Sequence, residues 1–184
     1  LVAVNILIFL LTAYYSRSFD IRVDVLIKYG AKVNELIEAG QVYRLLTSAF
    51  LHGDLTHILF NMYALFALGK MVEEALGTAR FLIIYFISAL VGGFMSYYFT
   101  PNVSVGASGA IFGLLGAVLV LALLGKSGVK RGMFPRIVIL LMLNLFSGFS
   151  SSGIDNFGHI GGLLAGILIS FIILQFFDRK KERK

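Results

Sequence analysis

An all-α, polytopic membrane protein, a bundle of six transmembrane helices, is the fold class this sequence predicts, and three observations predict it. Of 184 residues, 58% are hydrophobic and only 14% charged, where an ordinary soluble domain is about half apolar and about a quarter charged. The mean hydropathy is +0.88. The apolar residues are also gathered, with uncharged runs over 1–16, 55–69, 81–125, 137–154 and 156–177. A helix needs about 20 apolar residues to cross ~30 Å of hydrocarbon, so the run 81–125 holds two crossings. This composition excludes a water-soluble enzyme and a disordered tail. Cysteine is absent, which excludes disulfides, thiolate metal sites and a cysteine nucleophile.

The elements follow in order. The first span covers about 1–15. Residues 16–54 form a long connection with five basic and five acidic residues. Within it, Asp24–Ala39 has apolar residues at helical spacing with charges between them, which predicts an amphipathic segment lying at the membrane interface. The second span, about 55–75, carries His57 and Asn61. The third is about 80–99 and is broken by Thr100-Pro101-Asn102. The fourth is 108–125, the fifth 133–149 and the sixth 157–177. Together, 1–177 make one membrane core, and 178–184 a basic tail. The chain opens inside an apolar run without a basic leader region, so no cleavable signal peptide is expected, and the lack of an initiator Met points to a fragment of a longer chain.

Charge sets the expected orientation. Eleven of the sixteen Lys and Arg residues lie in the 2–3 loop, the 4–5 loop and the tail, all on one side. The other five lie in the first connection, balanced by acids, and loops 3–4 and 5–6 have none. Both termini are therefore expected in the cytoplasm. The net charge of +6 reads as topology, and no nucleic-acid partner is expected.

Polar groups at membrane depth are costly, so each is a functional hypothesis. His57 and Asn61 are four apart and share a helix face. Ser108 opens the fourth span within Val105-Gly106-Ala107-Ser108-Gly109-Ala110, and His159 opens the sixth within Gly158-His159-Ile160-Gly161-Gly162. Spans 2, 4 and 6 all start at the non-cytoplasmic face, so these four residues are expected to converge at shallow depth. Acyl transfer is the chemistry that fits them. Ser108 would be the nucleophile and His159 its base. The Ser108 amide at a helix N-terminus, with Asn61 and His57 as uncharged donors, would receive an oxyanion. Asp155, four residues before His159, could orient it but is expected to sit in the loop or cap the sixth helix, and a Ser–His dyad is favoured over a triad.

These residues together resemble the rhomboid family of intramembrane serine proteases. The likeness rests on Gly106-Ala107-Ser108-Gly109, on Gly158-His159 with Gly162 and Gly166, and on His52, His57 and Asn61. It extends to Tyr43-Arg44 in the first connection and Glu73-Glu74 at the end of the second span. The resemblance implies Ser108 as nucleophile, His159 as base, and an oxyanion hole from His57, Asn61 and the Ser108 amide, with no cofactor and no metal. It also implies that Phe112 packs on His159. Transmembrane proteins in the lipid bilayer would be the substrates, and the six-span core favours a bacterial plasma membrane. The sequence identifies neither the substrate nor the oligomeric state.

Other readings attach to the same residues. Small residues around Ser108 also serve close helix packing, and Gly109, Gly113, Gly116, Gly162 and Gly166 are expected to do so. His52 is expected to hydrogen-bond within its loop, and Arg44 and Glu73 to pair with ions or sit at the interface. A zinc site from His52, His57 and His159 is disfavoured because no His-Glu-x-x-His pattern is present. A channel or transporter lined by His57, Asn61 and His159, or a non-proteolytic binding factor, is the alternative function. It is disfavoured because no pair of broken helices appears and both Ser108 and His159 are kept. The Gly- and Ser-rich segment 147–156 is expected to act as a lid, with Phe146 and Phe149 as wedges on the lipid side.

Overall fold

The computed structural model describes residues 1–125, 129, 131–149 and 153–178. It is helical throughout, with α1 (Val2–Ser16), α2 (Val23–Lys28), α3 (Asn34–Glu38), α4 (Arg44–Thr47), α5 (Leu55–Leu76), α6 (Thr78–Phe99), α7 (Ser108–Leu124), α8 (Phe134–Phe149) and α9 (Asn156–Asp178). Among the described residues, three helices are long and apolar enough to cross a membrane: α5, α6 and Asn156–Gln175 of α9. The helices α1 and α7 are apolar but shorter, at 15 and 17 residues. The shortness of α7 has a physical reason, since it sits in the middle of the bundle. Nearly every residue from Ala110 to Ala122 is buried, and a helix that is apolar all round and enclosed by others need not match the bilayer thickness.

The centre of the molecule is the packing of α7 against α9 and α6. Small residues make it possible. A Cβ placed on Gly162 would lie on the Gly109 carbonyl, and one on Gly166 on the Gly113 carbonyl. From the other side, a Cβ on Gly92 of α6 would approach the Gly158 carbonyl to 2.8 Å. Association of membrane helices depends on such close backbone approach, because lipid offers no hydrophobic gain for bringing them together. The α5–α6 connection is a single residue, Gly77, at φ +86.

The first connection differs from a continuous amphipathic segment. It breaks into α2 and α3 around Gly30, whose φ of +107 a helix cannot accommodate. Arg44 holds the pieces together, though not by the ion pair expected of it. Buried at 5% exposure, it donates to the carbonyls of Ile27 and Ala31 at 2.8 and 3.0 Å and to Gln41 Oε1 at 2.8 Å. A guanidinium satisfies three backbone and amide acceptors in this way without a buried carboxylate having to be desolvated. Glu73 accepts the Thr78 hydroxyl at 2.7 Å, across the α5–α6 turn. The expected lid and wedge lie beyond this description: residues 150–152 and the side chains of Phe146 and Phe149 are outside the described residues.

Candidate active site

The starts of α5, α7 and α9 meet at one end of the bundle, and each is set by a local device. Asp54 caps α5, its Oδ1 accepting from the His57 amide at 2.8 Å. Asp155 caps α9, its Oδ1 accepting from the Gly158 amide at 2.9 Å. The chain enters α7 through Gly106, at φ +130, a conformation that residues with a Cβ rarely adopt. A Cβ there would also lie 2.7 Å from His57 Nε2. Glycine at 106 therefore brings the approach to Ser108 directly against the His57 ring.

Ser108 Oγ and His159 Nε2 are 2.8 Å apart, within hydrogen-bond reach across the α7–α9 interface. The Phe112 ring lies parallel to the His159 ring, with centroids 4.3 Å apart and planes 7° from parallel. His159 Nδ1 is buried and has no hydrogen-bond partner. The Asp155 carboxylate is engaged elsewhere: besides Gly158, it accepts the hydroxyls of Thr100 at 2.9 Å and Ser104 at 2.7 Å. Burial works to raise its pKa, and the donors around it outweigh burial and hold it below the ordinary carboxylate value.

His57 and Asn61 lie on the adjoining face of α5. His57 Nδ1 accepts from the Gly53 amide at a long 3.5 Å. An acceptor Nδ1 places the ring proton on Nε2, the nitrogen that faces Gly106. Asn61 is buried at 7% exposure, and its Nδ2 donates to the His57 carbonyl at 3.0 Å, which leaves one of its two amide hydrogens uncommitted. His52 is fully buried, its ring meeting His57 edge-on with centroids 5.0 Å apart, and it interacts with the Phe50 backbone of its own loop. Burial, reinforced by the nearby His57, pushes its pKa down to about 3, so it is a neutral packing group here. No three His, Asp or Glu side chains converge on a metal position among the described residues.

Beside Ser108 and His159 lies a cavity of about 30 Å³, lined by both and by Gly106, Gly158, Ser104 and Lys32 among others, while His57 and Asn61 lie outside its lining. It has room for roughly one or two waters. The sequence reading missed Lys32. Buried at 1% exposure, its Nζ donates to the Thr100 carbonyl, to Asn102 O at 2.9 Å and to Asn34 Oδ1 at 2.9 Å. Nothing in a charge-balanced loop distinguishes this lysine from its neighbours, because its partners are backbone carbonyls about seventy residues away.

A helical membrane bundle with a serine and a histidine within hydrogen-bond distance at the starts of two helices defines the class. The Rhomboid domain family matches residues 39–176, and the chain belongs to the rhomboid family. It is 42% identical over 165 residues to Rhomboid protease GluP of Bacillus subtilis (strain 168), covering 90% of this chain and 32% of GluP. It is 38% identical over 147 residues to YdcA of the same organism, covering 79% of this chain and 72% of YdcA. With RHOMBOID-like protein 4 of Arabidopsis thaliana the identity is 35% over 147 residues, covering 79% of this chain and 37% of that one. The chain thus spans about a third of the length of GluP and of the Arabidopsis protein.

Proposed function

We propose that this chain is an intramembrane serine endopeptidase that cuts transmembrane segments of other proteins near the outer membrane boundary, using Ser108 and His159 as a dyad. The observation that carries the reading is the 2.8 Å contact between Ser108 Oγ and His159 Nε2, with Phe112 stacked on the base. With Nε2 as acceptor, His159 holds its own proton on Nδ1. Ser108 Oγ attacks the scissile carbonyl carbon while its proton passes to Nε2, and the carbonyl π pair moves to oxygen. The resulting oxyanion takes hydrogen bonds from the Ser108 amide, which has no intrahelical acceptor at the start of α7, from His57 Nε2–H and from the remaining Asn61 amide hydrogen. Collapse expels the amine, which takes the proton from His159. A water then attacks the Ser108 ester and gives a proton to His159. The second tetrahedral intermediate collapses with cleavage of the bond to Ser108 Oγ, His159 passes that proton to Oγ, and the carboxylic acid product leaves.

A substrate helix hides its amides in its own hydrogen bonds, so segments with small or helix-weakening residues should be cut best. The Lys and Arg distribution supports both termini in the cytoplasm with the site facing out, and the likeness to bacterial relatives supports a plasma-membrane location. Labelling with a fluorophosphonate tests the chemistry. The unmodified protein should be labelled and should cleave a membrane-embedded peptide, whereas Ser108→Ala and His159→Ala should do neither. The double variant should be no worse than either single one, because the two groups act as a unit. Substantial cleavage by Ser108→Ala would overturn the reading.

A further inference from the structure

The carboxylate of Asp155 touches neither Ser108 Oγ nor a ring nitrogen of His159, yet it joins the two segments that carry them. On one side it caps α9, four residues before His159. On the other it accepts Thr100 Oγ1 and Ser104 Oγ from the strap 100–107 that delivers Ser108. The strap's outer side is held by Lys32. Its Nζ donates to the carbonyls of Thr100 and Asn102, and Lys32 and Ser104 exchange backbone N–H···O bonds at 3.0 and 3.1 Å. Asn34 adds its amide to the Tyr97 carbonyl at 2.9 Å.

From this arrangement we infer that Asp155 and Lys32 are a pair of positioning residues that clamp the strap 100–104 between the first connection and the start of α9, and so set the separation of Ser108 from His159. The inference rests on the dyad reading above. The physical reason is that α7 and α9 meet through glycines, which leave their faces smooth. A Gly–Gly contact fixes the distance between two helices far better than it fixes their sliding along one another. Directional bonds at the helix starts supply what the glycines lack. A buried ammonium and a half-buried carboxylate serve because each is hydrogen-bonded, and because strap hydroxyls and carbonyls have opposite needs: the hydroxyls require an acceptor and the carbonyls a donor.

The test reads the rate and the apparent binding constant for fluorophosphonate labelling in detergent-solubilised full chain, alongside the thermal melting point. Asp155→Ala should lower the labelling rate constant about 10- to 100-fold, the cost of a misplacement of the order of an ångström, with the binding constant unchanged. Asp155→Asn should recover most of the rate, since its oxygen still accepts from Gly158 and the Ser104 hydroxyl can turn to accept from its amide. If Asp155→Ala does not fold, Ser104→Ala combined with Thr100→Val decides, because it removes the strap's two donors and leaves the α9 cap intact. A slowed rate in that variant supports the clamp. A labelling rate that stays normal in either variant would overturn the proposal, and in Asp155→Ala a lowered melting point beside that normal rate would show a helix cap only. Absence of Ser108-dependent labelling in the unmodified protein would instead refute the dyad reading, a separately visible outcome.

Discussion

The ring of Phe112 lies flat on the ring of His159, one helical turn beyond Ser108 on α7. The stack holds the imidazole with Nε2 turned to the serine hydroxyl, a task for which no carboxylate is in place at Nδ1. Aromatic pairs of this kind contribute about 0.5–1.5 kcal/mol beyond their buried area. Phe112→Leu is therefore expected to lower kcat for a membrane-embedded fluorogenic peptide up to about tenfold at that energy, while Phe112→Tyr stays near the unmodified rate. An unchanged kcat in Phe112→Leu would mean that the α9 backbone alone orients His159.

Asn61 spends one amide hydrogen on its own helix and has one left for an oxyanion. Loss of a single donor of this type costs roughly 10²–10³ in kcat. Asn61→Ala should show that loss in steady-state cleavage, with fluorophosphonate labelling of Ser108 still detectable. Turnover near the unmodified level would remove Asn61 from the oxyanion hole.

The contact of Gly162 with the Gly109 carbonyl leaves no space for a methyl group. Gly162→Ala has to push α9 from α7, and overpacking of this kind costs about 1–3 kcal/mol. A lower melting point in detergent and loss of labelling at Ser108 are expected together, since the same displacement separates Ser108 from His159. Gly132, where a Cβ meets nothing within 4 Å, is the control, and Gly132→Ala should leave both unchanged.

His52 gives a pH dependence of stability. Its ordinary pKa is 6.5, and burial together with His57 takes it to about 3 in the fold. Between those values the unfolded chain holds the extra proton, so the contribution is complete above 6.5 and is lost as pH falls toward 3. The slope is at most about 1.4 kcal/mol per pH unit. His52→Leu should flatten the stability profile of the micelle-bound protein between pH 6 and about 4. An identical slope in the two proteins would contradict a neutral, buried His52.

Much of the site was legible before any coordinates. Ser108 and His159 lie fifty-one positions apart, yet both open apolar helices at the same face, and counting spans is enough to bring them together. Asp155 was readable as a cap because a carboxylate three residues before a helical amide is a local device. Lys32, Thr100 and Ser104 were not readable. Lys32 bonds backbone carbonyls across the fold, which carry no sequence identity, and Thr100 and Ser104 bond a carboxylate more than fifty residues away.

By itself, the sequence determined that the chain is a multi-pass membrane protein, how its long helices are ordered, and which polar side chains stand near their starts. These follow from hydropathy and helix length, which are properties of consecutive residues. Only the tertiary structure decided that the His52 ring packs edge-on against His57, that Arg44 binds carbonyls rather than a carboxylate, and that His57 turns its Nε2 to Gly106. Each of those outcomes depends on which buried partner arrives from a distant segment. In a medium without water, a buried polar group takes whatever acceptor or donor the packing brings to it.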